Sequence, residues 1–299
     1  MEVILSSPRG FCAGVVRAIE VVELCLERFG PPVYVKHQIV HNPYVVAELE
    51  RKGAITVETV EEIPPQSLVV FSAHGSPPED FEKARERALR VIDAVCPLVT
   101  RVHNEAKKYH QEGKKVLLVG HRGHQEVRGT MGQVSMTLID DTDGNQLPEW
   151  GSDTQVAVLT QTTLSVGDTA RAIKAIKDSF PKALVRNDIC YATTNRQQAV
   201  TKMAALVDLV LVIGAQNSSN CNRLREVAEA LGVPAYLING PEEIDPSWLE
   251  GKETVGVTSG ASTPEVLVES IIQALAPEKV SMLTGVEEDV TFTLPKELR

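Results

Sequence analysis

Cys12, Cys96 and Cys190 each stand where a short apolar strand gives way to a helix, in RGFCAGV, DAVCPLV and NDICYAT. The intervals are 96 − 12 = 84 and 190 − 96 = 94 residues, far beyond the about two to four residues that separate paired zinc-finger ligands. Three thiolates meeting in a reducing compartment suit zinc or an iron–sulfur cluster. Around a four-iron cluster they leave one iron without a protein ligand, and an open position is what separates catalytic from structural metal sites. A helix N-terminus favours the thiolate form at each position. The other two cysteines read differently. Cys25 shares an apolar helical stripe with Ala18, Val22 and Phe29 and reads as core. Cys221, in NSSNCNR, is either a fourth ligand or a partly buried residue of the helix that this loop opens.

A second set of polar residues follows other strands. His41, His74 and His124 each sit just past one, and Ser218, Ser219, Asn220 and Ser262 occupy matching places. Imidazoles, hydroxyls and an amide at helix N-termini supply the donors and positive dipole end that a phosphate or diphosphate needs. Ser262 either caps its helix or, if Thr263 caps with Pro264 at the first helical position, is available to a ligand. Glu126 is the one carboxylate inside these loops, and Thr162 lies at the matching strand end one segment later. Glu126 is either a proton donor whose pKa burial raises or a solvated charge paired with Arg122 or Arg128. A Gly-rich P-loop, a GxGxxG after a strand and an HExxH are all missing from the sequence.

The elements that must position these residues recur three times. After each cysteine come a helix (13–29, 97–112, 193–206), an apolar strand with a polar loop, a helix, an acidic bend (56–67, 138–150, 237–248), and a second strand, loop and helix. Ser76-x-x-Glu79, Ser165-x-x-Asp168 and Ser262-x-x-Glu265 read as capping boxes of the closing helices. Short apolar strands alternating with helices predict an α/β fold of three pseudo-threefold-related lobes with mainly parallel sheets, where ligands bind beyond the strands' carboxyl ends. The lobes are expected over 13–95, 96–189 and 190–275, the last completed by the strand within 1–12. Residues 276–299 depart from the repeat. Their alternation predicts a strand-turn-strand arm over another surface.

Composition narrows the function classes. A net charge of −10 across 299 residues argues against general nucleic-acid binding and against an anionic membrane surface. Apolar runs stay below the roughly 18 residues of a membrane span, and Arg9 and Arg17 interrupt any signal-like segment. Five widely spaced cysteines are not a secreted disulfide framework. A cytoplasmic location and a monomer that needs no partner copy are expected.

Together RGFCAGV, IVHNP, AHG, Cys96-Pro97, HRGHQE, TQTTLS, ICYATTNRQ, NSSN and GAS-x-P, running nearly the whole chain, resemble the LytB-type 4-hydroxy-3-methylbut-2-enyl diphosphate reductases. The resemblance implies three lobes around a central cluster and a place at the end of the methylerythritol phosphate route to isoprenoids. It implies that Cys12, Cys96 and Cys190 hold one [4Fe–4S] cluster per chain, whose open iron takes the substrate's hydroxyl oxygen. His41, His74, His124, Ser218, Asn220 and Ser262 would bind the diphosphate with Ser219 in support, and Glu126 with Thr162 and His124 would deliver protons. Electrons, passed one at a time, would come from a reduced ferredoxin or flavodoxin. The products would be isopentenyl and dimethylallyl diphosphate. A non-catalytic iron–sulfur sensor or electron carrier, completed by Cys221, is the alternative; a zinc hydrolase with Glu126 as base is a third.

Overall fold

The computed structural model describes residues 1–140 and 146–299. In chain order β1 (Glu2–Leu5) leads through Cys12 to α1 (Ala13–Phe29), β2 (Val33–Lys36), α2 (Pro43–Arg51), β3 (Ala54–Val57) and β4 (Leu68–Phe71). Then come α3 (Pro78–Glu86), β5 (Arg90–Asp93), α4 (Pro97–Gln111), β6 (Lys115–Val119), α5 (Gln125–Met131) and β7 (Thr137–Ile139). Next are β8 (Val156–Thr160), α6 (Val166–Ser179), β9 (Leu184–Val185), α7 (Tyr191–Ala204) and β10 (Leu209–Ile213). The chain ends with α8 (Ser219–Ala230), β11 (Ala235–Ile238), β12 (Thr254–Ser259), α9 (Glu265–Leu275) and β13 (Lys279–Met282).

Three parallel α/β sheets form among the described residues, ordered β3-β2-β4-β5, β7-β6-β8-β9 and β11-β10-β12-β1-β13. The first four places match in all three. β1, which precedes Cys12, takes the place that β5 and β9 take before Cys96 and Cys190, pairing with β12 from Glu2↔Thr254 to Leu5↔Val257. In each sheet the chain turns one way after β2, β6 or β10 and the other way after β4, β8 or β12. The crevice between those two strands is the topological switch point, where ligands of such sheets bind. The loops after β2, β4, β6, β8, β10 and β12 carry His41, His74, His124, Thr162, Ser218 and Ser262, and Glu126 is the second residue of α5.

The chain divides into two compact units. One comprises Met1–Ala13, His41–Val45 and Cys190–Thr291; the other comprises Gly14–Val40, Val46–Ile189 and Phe292–Arg299. The first holds the five-stranded sheet, and the second holds the two four-stranded sheets. Every residue of β8 and of β10 is buried, as strands covered by helices on both faces require. The period of two divides each strand between two cores. Leu209, Leu211 and Ile213 pack with Val268 and Ile271 of α9, while Val210 and Val212 pack with Val200 of α7 and Leu224 of α8. Leu117 and Val158 meet Ala172 and Ile176 of α6; Leu118 and Leu159 meet Val102 and Ala106 of α4.

Local details depart from expectation. Only Ser165 of the three serines caps its helix, accepting from Asp168 N. Pro77 and Pro264 occupy the N-cap positions of α3 and α9, with no side-chain cap. Helix α7 begins at Tyr191, two residues ahead of the predicted start, because Cys190 itself caps it. The C-terminal alternation yields one strand, β13, parallel to β1, and residues 283–294 form no second strand. Part of the second acidic bend, residues 141–145, lies outside the described residues.

Candidate functional site

In the unit that holds the five-stranded sheet, the Cys12 and Cys190 loops are joined by a chain of hydrogen bonds. Cys12 N donates to Ala261 O at 3.1 Å, and Ala261 N donates to Asn220 Oδ1 at 3.1 Å. Asn220 Nδ2 reaches Thr193 Oγ1 at 3.3 Å, and that hydroxyl lies 3.2 Å from Cys190 Sγ. Cys190 Sγ also accepts from Thr193 N at 3.4 Å, so the amide of the third residue of α7 faces the sulfur. An amide aimed at a sulfur favours the thiolate. Tyr191, one residue further, accepts at its hydroxyl from Ala13 N at 3.2 Å.

Around the same loops, Ser218 caps α8 by accepting from Cys221 N, and Ser219 is the first helical residue. Ser262 Oγ donates to His41 O at 3.0 Å, and the neighbouring Thr263 donates to Ile213 O at 2.8 Å. Ser262 therefore does not cap α9; it ties the loop after β12 to the loop after β2.

Cys221 belongs to the core. It is fully buried beside Val212 and Leu224, and burial pushes its thiol up to about 11. A Cβ on Gly214 or Gly260 would stand 2.3 Å or 2.2 Å from its sulfur, so two strand-end glycines make room for it. The choice left open by the sequence resolves to a packed helix residue. Cys25 is likewise fully buried, its thiol raised to about 11 by desolvation.

In the other unit, Cys96 is the N-cap of α4, and its N–H donates to Ala73 O at 3.0 Å. The parallel with Cys12 is close: each cysteine bonds the carbonyl just before the polar residue of the neighbouring loop, His74 here and Ser262 there. Ser72 Oγ lies 3.3 Å from His74 Nδ1, and the His74 and His124 rings meet edge to face at 6.2 Å. His124 caps α5, its Nδ1 accepting from Glu126 N at 3.2 Å. With Nδ1 an acceptor, a neutral His124 carries its proton on Nε2, ready to donate. Helix α5 can come this close because Gly129 has no side chain; a Cβ there would stand 2.8 Å from Gly75 O.

Glu126 is 3% exposed, and among the described residues its carboxylate forms no ion pair with Arg122 or Arg128. Its Oε1 accepts from Thr162 N at 2.7 Å and its Oε2 from Thr162 Oγ1 at 2.9 Å. Desolvation raises its pKa to about 7, the two Thr162 hydrogen bonds oppose the rise, and Asp188 adds to it. At neutral pH this carboxyl holds and releases a proton, which is the property a general acid needs.

Sequence reasoning missed Asp188, Tyr191 and three arginines on the helices that follow the cysteines. The arginines carry a signal that could have found them: Arg17, Arg101 and Arg196 stand five, five and six residues after Cys12, Cys96 and Cys190. Among the described residues no group of three His, Cys, Asp or Glu side chains is arranged around a single metal ion, and no helix is long and apolar enough to cross a membrane.

Comparison with known proteins places this arrangement. A family model described as LytB protein matches residues 3–276. The chain is 54% identical to 4-hydroxy-3-methylbut-2-enyl diphosphate reductase 1 of Rhodopseudomonas palustris, over 98% of each chain. It is 50% identical to the reductase of the same name from Actinobacillus pleuropneumoniae, covering 100% of this chain and 98% of that one. Among solved structures, the E-1-hydroxy-2-methyl-but-2-enyl-4-diphosphate reductase of Plasmodium falciparum superposes with a TM-score of 0.94 at 36% identity, over 100% of this chain and 96% of that one. An (E)-4-hydroxy-3-methyl-but-2-enyl diphosphate reductase structure, 34% identical, covers 92% of this chain with a TM-score of 0.63. The chain belongs to the LytB protein family.

Proposed function

We propose that this chain is an oxidoreductase that removes the allylic hydroxyl of (E)-4-hydroxy-3-methylbut-2-enyl diphosphate, giving isopentenyl and dimethylallyl diphosphate. The observation that carries the proposal is the buried Glu126 carboxyl, raised to about 7 and held through both oxygens by Thr162 at a sheet switch point, in a chain so similar to reductases of that name.

Cys12, Cys96 and Cys190 suit a [4Fe–4S] cluster. Each sits at or just before a helix N-terminus and none is fully buried, unlike Cys25 and Cys221, so these three are the thiols open to a cofactor. When bound, such a cluster supplies electrons one at a time and a Lewis-acidic iron. The sensor alternative loses its support with Cys221, which is enclosed in the core.

The overall change consumes two electrons and two protons. The carbinol C–O bond breaks, a C–H bond forms at either end of the allyl unit, and water leaves. Glu126 gives its proton to the departing hydroxyl, and Thr162 holds the carboxyl in place through both oxygens. His124 from Nε2–H, His74 and His41 donate to the diphosphate, as do the amides at the start of α8 and the Ser218, Ser219 and Asn220 side chains. Ser262 joins them by turning its hydroxyl proton from His41 O to a phosphate oxygen. A reduced ferredoxin or flavodoxin supplies the electrons, and the enzyme works as a cytoplasmic monomer.

The test is anaerobic reconstitution with iron and sulfide, followed by visible and EPR spectra with and without the hydroxymethylbutenyl diphosphate, and product analysis with a chemical reductant. A brown protein whose signal changes with substrate and which forms both products supports the proposal. A chain that takes up zinc alone, or a cluster that ignores the diphosphate and yields no product, overturns it.

A further inference from the structure

Each of the three arginines that follow the cysteines grips the segment leading into a different cysteine. Arg17, on the helix after Cys12, donates from Nη1 to Ala94 O at 3.1 Å and Val95 O at 3.0 Å, the two carbonyls before Cys96. Arg101, on the helix after Cys96, lies 3.6 Å from the carboxylate of Asp188, two residues before Cys190. Arg196, on the helix after Cys190, donates from Nη2 to Gly10 O at 2.8 Å, two residues before Cys12. In chain order the pattern closes on itself: 12 to 96, 96 to 190, 190 to 12. Three contacts recur at nearly the same place in each copy, two to backbone carbonyls and one to the Asp188 carboxylate.

The C-terminal segment completes two of the three. Arg17 Nε donates to Thr293 O at 2.7 Å. Arg196 Nη1 meets Glu288 Oε1 at 2.9 Å and Oε2 at 3.2 Å, and Asn195 Nδ2 adds a bond to the same carboxylate at 3.0 Å. Arg196 is fully buried, so its charge requires both Glu288 and the Gly10 carbonyl. The Arg101 pair differs, being half-exposed at the arginine and without a C-terminal partner.

We propose that Arg17, Arg101 and Arg196 are positioning residues for the cysteine ligands, and that Glu288 holds Arg196, and the Thr293 carbonyl holds Arg17, on the carbonyls they bind. This rests on the reading that Cys12, Cys96 and Cys190 hold a cluster. A planar guanidinium fixes the direction of the carbonyl it binds, and through it the peptide that carries the next sulfur. The same cations lie near loops that gather negative charge once thiolates bind iron, and outer partners of this sort commonly alter metal affinity about 10–100-fold.

The experiment compares iron release from anaerobically reconstituted wild type, Glu288→Gln, Arg196→Lys and Arg17→Lys into excess chelator, following the visible band and the EPR signal. Ile271→Val, a core change in α9 that destabilises by about 1 kcal/mol, serves as the control for stability loss alone. The expected result is cluster loss about 10-fold faster in Glu288→Gln and Arg196→Lys, an altered EPR signal in the intact fraction, and wild-type behaviour in Ile271→Val. Equal release rates and spectra in all variants overturn the positioning role while leaving the cluster reading intact. Equal acceleration in Ile271→Val also overturns it, since fold stability alone then sets the rate. A wild-type chain that takes up no cluster removes both.

Discussion

Replacing Glu126 by glutamine removes the proton-holding group with little change of shape, and the two Thr162 contacts survive it. The amide oxygen accepts from Thr162 N as Oε1 does at 2.7 Å, and the amide NH2 donates to Thr162 Oγ1, which accepts in place of donating. The charge is a different matter. Glu126 ionises near its ordinary 4.5 in the unfolded chain and at about 7 in the folded one. Between those values the folded chain binds more protons than the unfolded chain, so stability falls as pH rises through that window and levels off above about 7. At about 1.4 kcal/mol per pH unit, the loss is about 3 kcal/mol. Glu126→Gln is neutral throughout and does not suffer it.

The variant is therefore expected to gain about 3 kcal/mol relative to wild type on going from pH 4.5 to 8, equivalent to roughly 5–10 °C in midpoint for a unit of this size. Thermal scans of both proteins across that range measure it. Turnover moves the opposite way. A general acid contributes about 10²–10⁴-fold, so Glu126→Gln loses that factor near pH 6. It also loses the alkaline fall in rate that wild type shows above about 7 as its carboxyl ionises. A stability difference that does not change with pH refutes the buried-acid argument. Wild-type turnover in the variant refutes the proton-donor role even if the stability result holds.

Thr162→Val keeps the backbone donor to Glu126 but deletes the hydroxyl that lowers its pKa, so the alkaline limb of the pH–rate profile moves upward; Thr162→Ser leaves it in place. Gly260→Ala drives a methyl into Cys221 Sγ and costs about 1–3 kcal/mol, and adding Cys221→Ala returns much of that loss, a coupling that denaturant unfolding of the double-mutant cycle reads directly. Iron and sulfide content in Cys221→Ala alone equal wild type, because a thiol in the core binds no cofactor. Gly129→Ala presses α5 against the Gly75 carbonyl and lowers turnover and stability together, since that contact aligns the His74 loop with Glu126.

The three parallel sheets and the place of β1 beside β12 were legible because they depend on apolar runs of strand length, helix-length spacers and polar strand ends. The caps were not, and the reason is proline. Ser165 lacks a proline nearby and caps as its spacing predicts. Ser76 is followed by Pro77 and Pro78, and Pro77 adopts φ −68°, ψ 153°, which moves the first helical residue to 78. Pro264 likewise restricts Thr263 before it to extended conformations, takes the N-cap place itself at ψ 149°, and leaves Ser262 to bond His41 O. The arginine contacts join residues 77, 87 and 186 positions apart, a separation for which a single sequence holds no local signal. Glu126 stood between two readings because burial decides its chemistry and burial is a tertiary property.

Glu126 also shows which force prevails at these strand ends. It is the second residue of α5, where the helix dipole favours a carboxylate by about 0.3–1 kcal/mol, and both of its oxygens accept hydrogen bonds that further favour the charge. Those effects alone would lower its pKa below 4.5. The net result is a rise to about 7, so desolvation exceeds all of them, and the gap is about 3 kcal/mol after they have acted. The amides at the neighbouring helix starts and at Cys190 meet sulfur or open loops and retain their preference for anions. On the proposed reading, a diphosphate held by His74 and His124 would bring negative charge toward Glu126 and raise its pKa further. Substrate binding would then keep the proton on the carboxyl until a departing hydroxyl, more basic than the carboxylate, could take it.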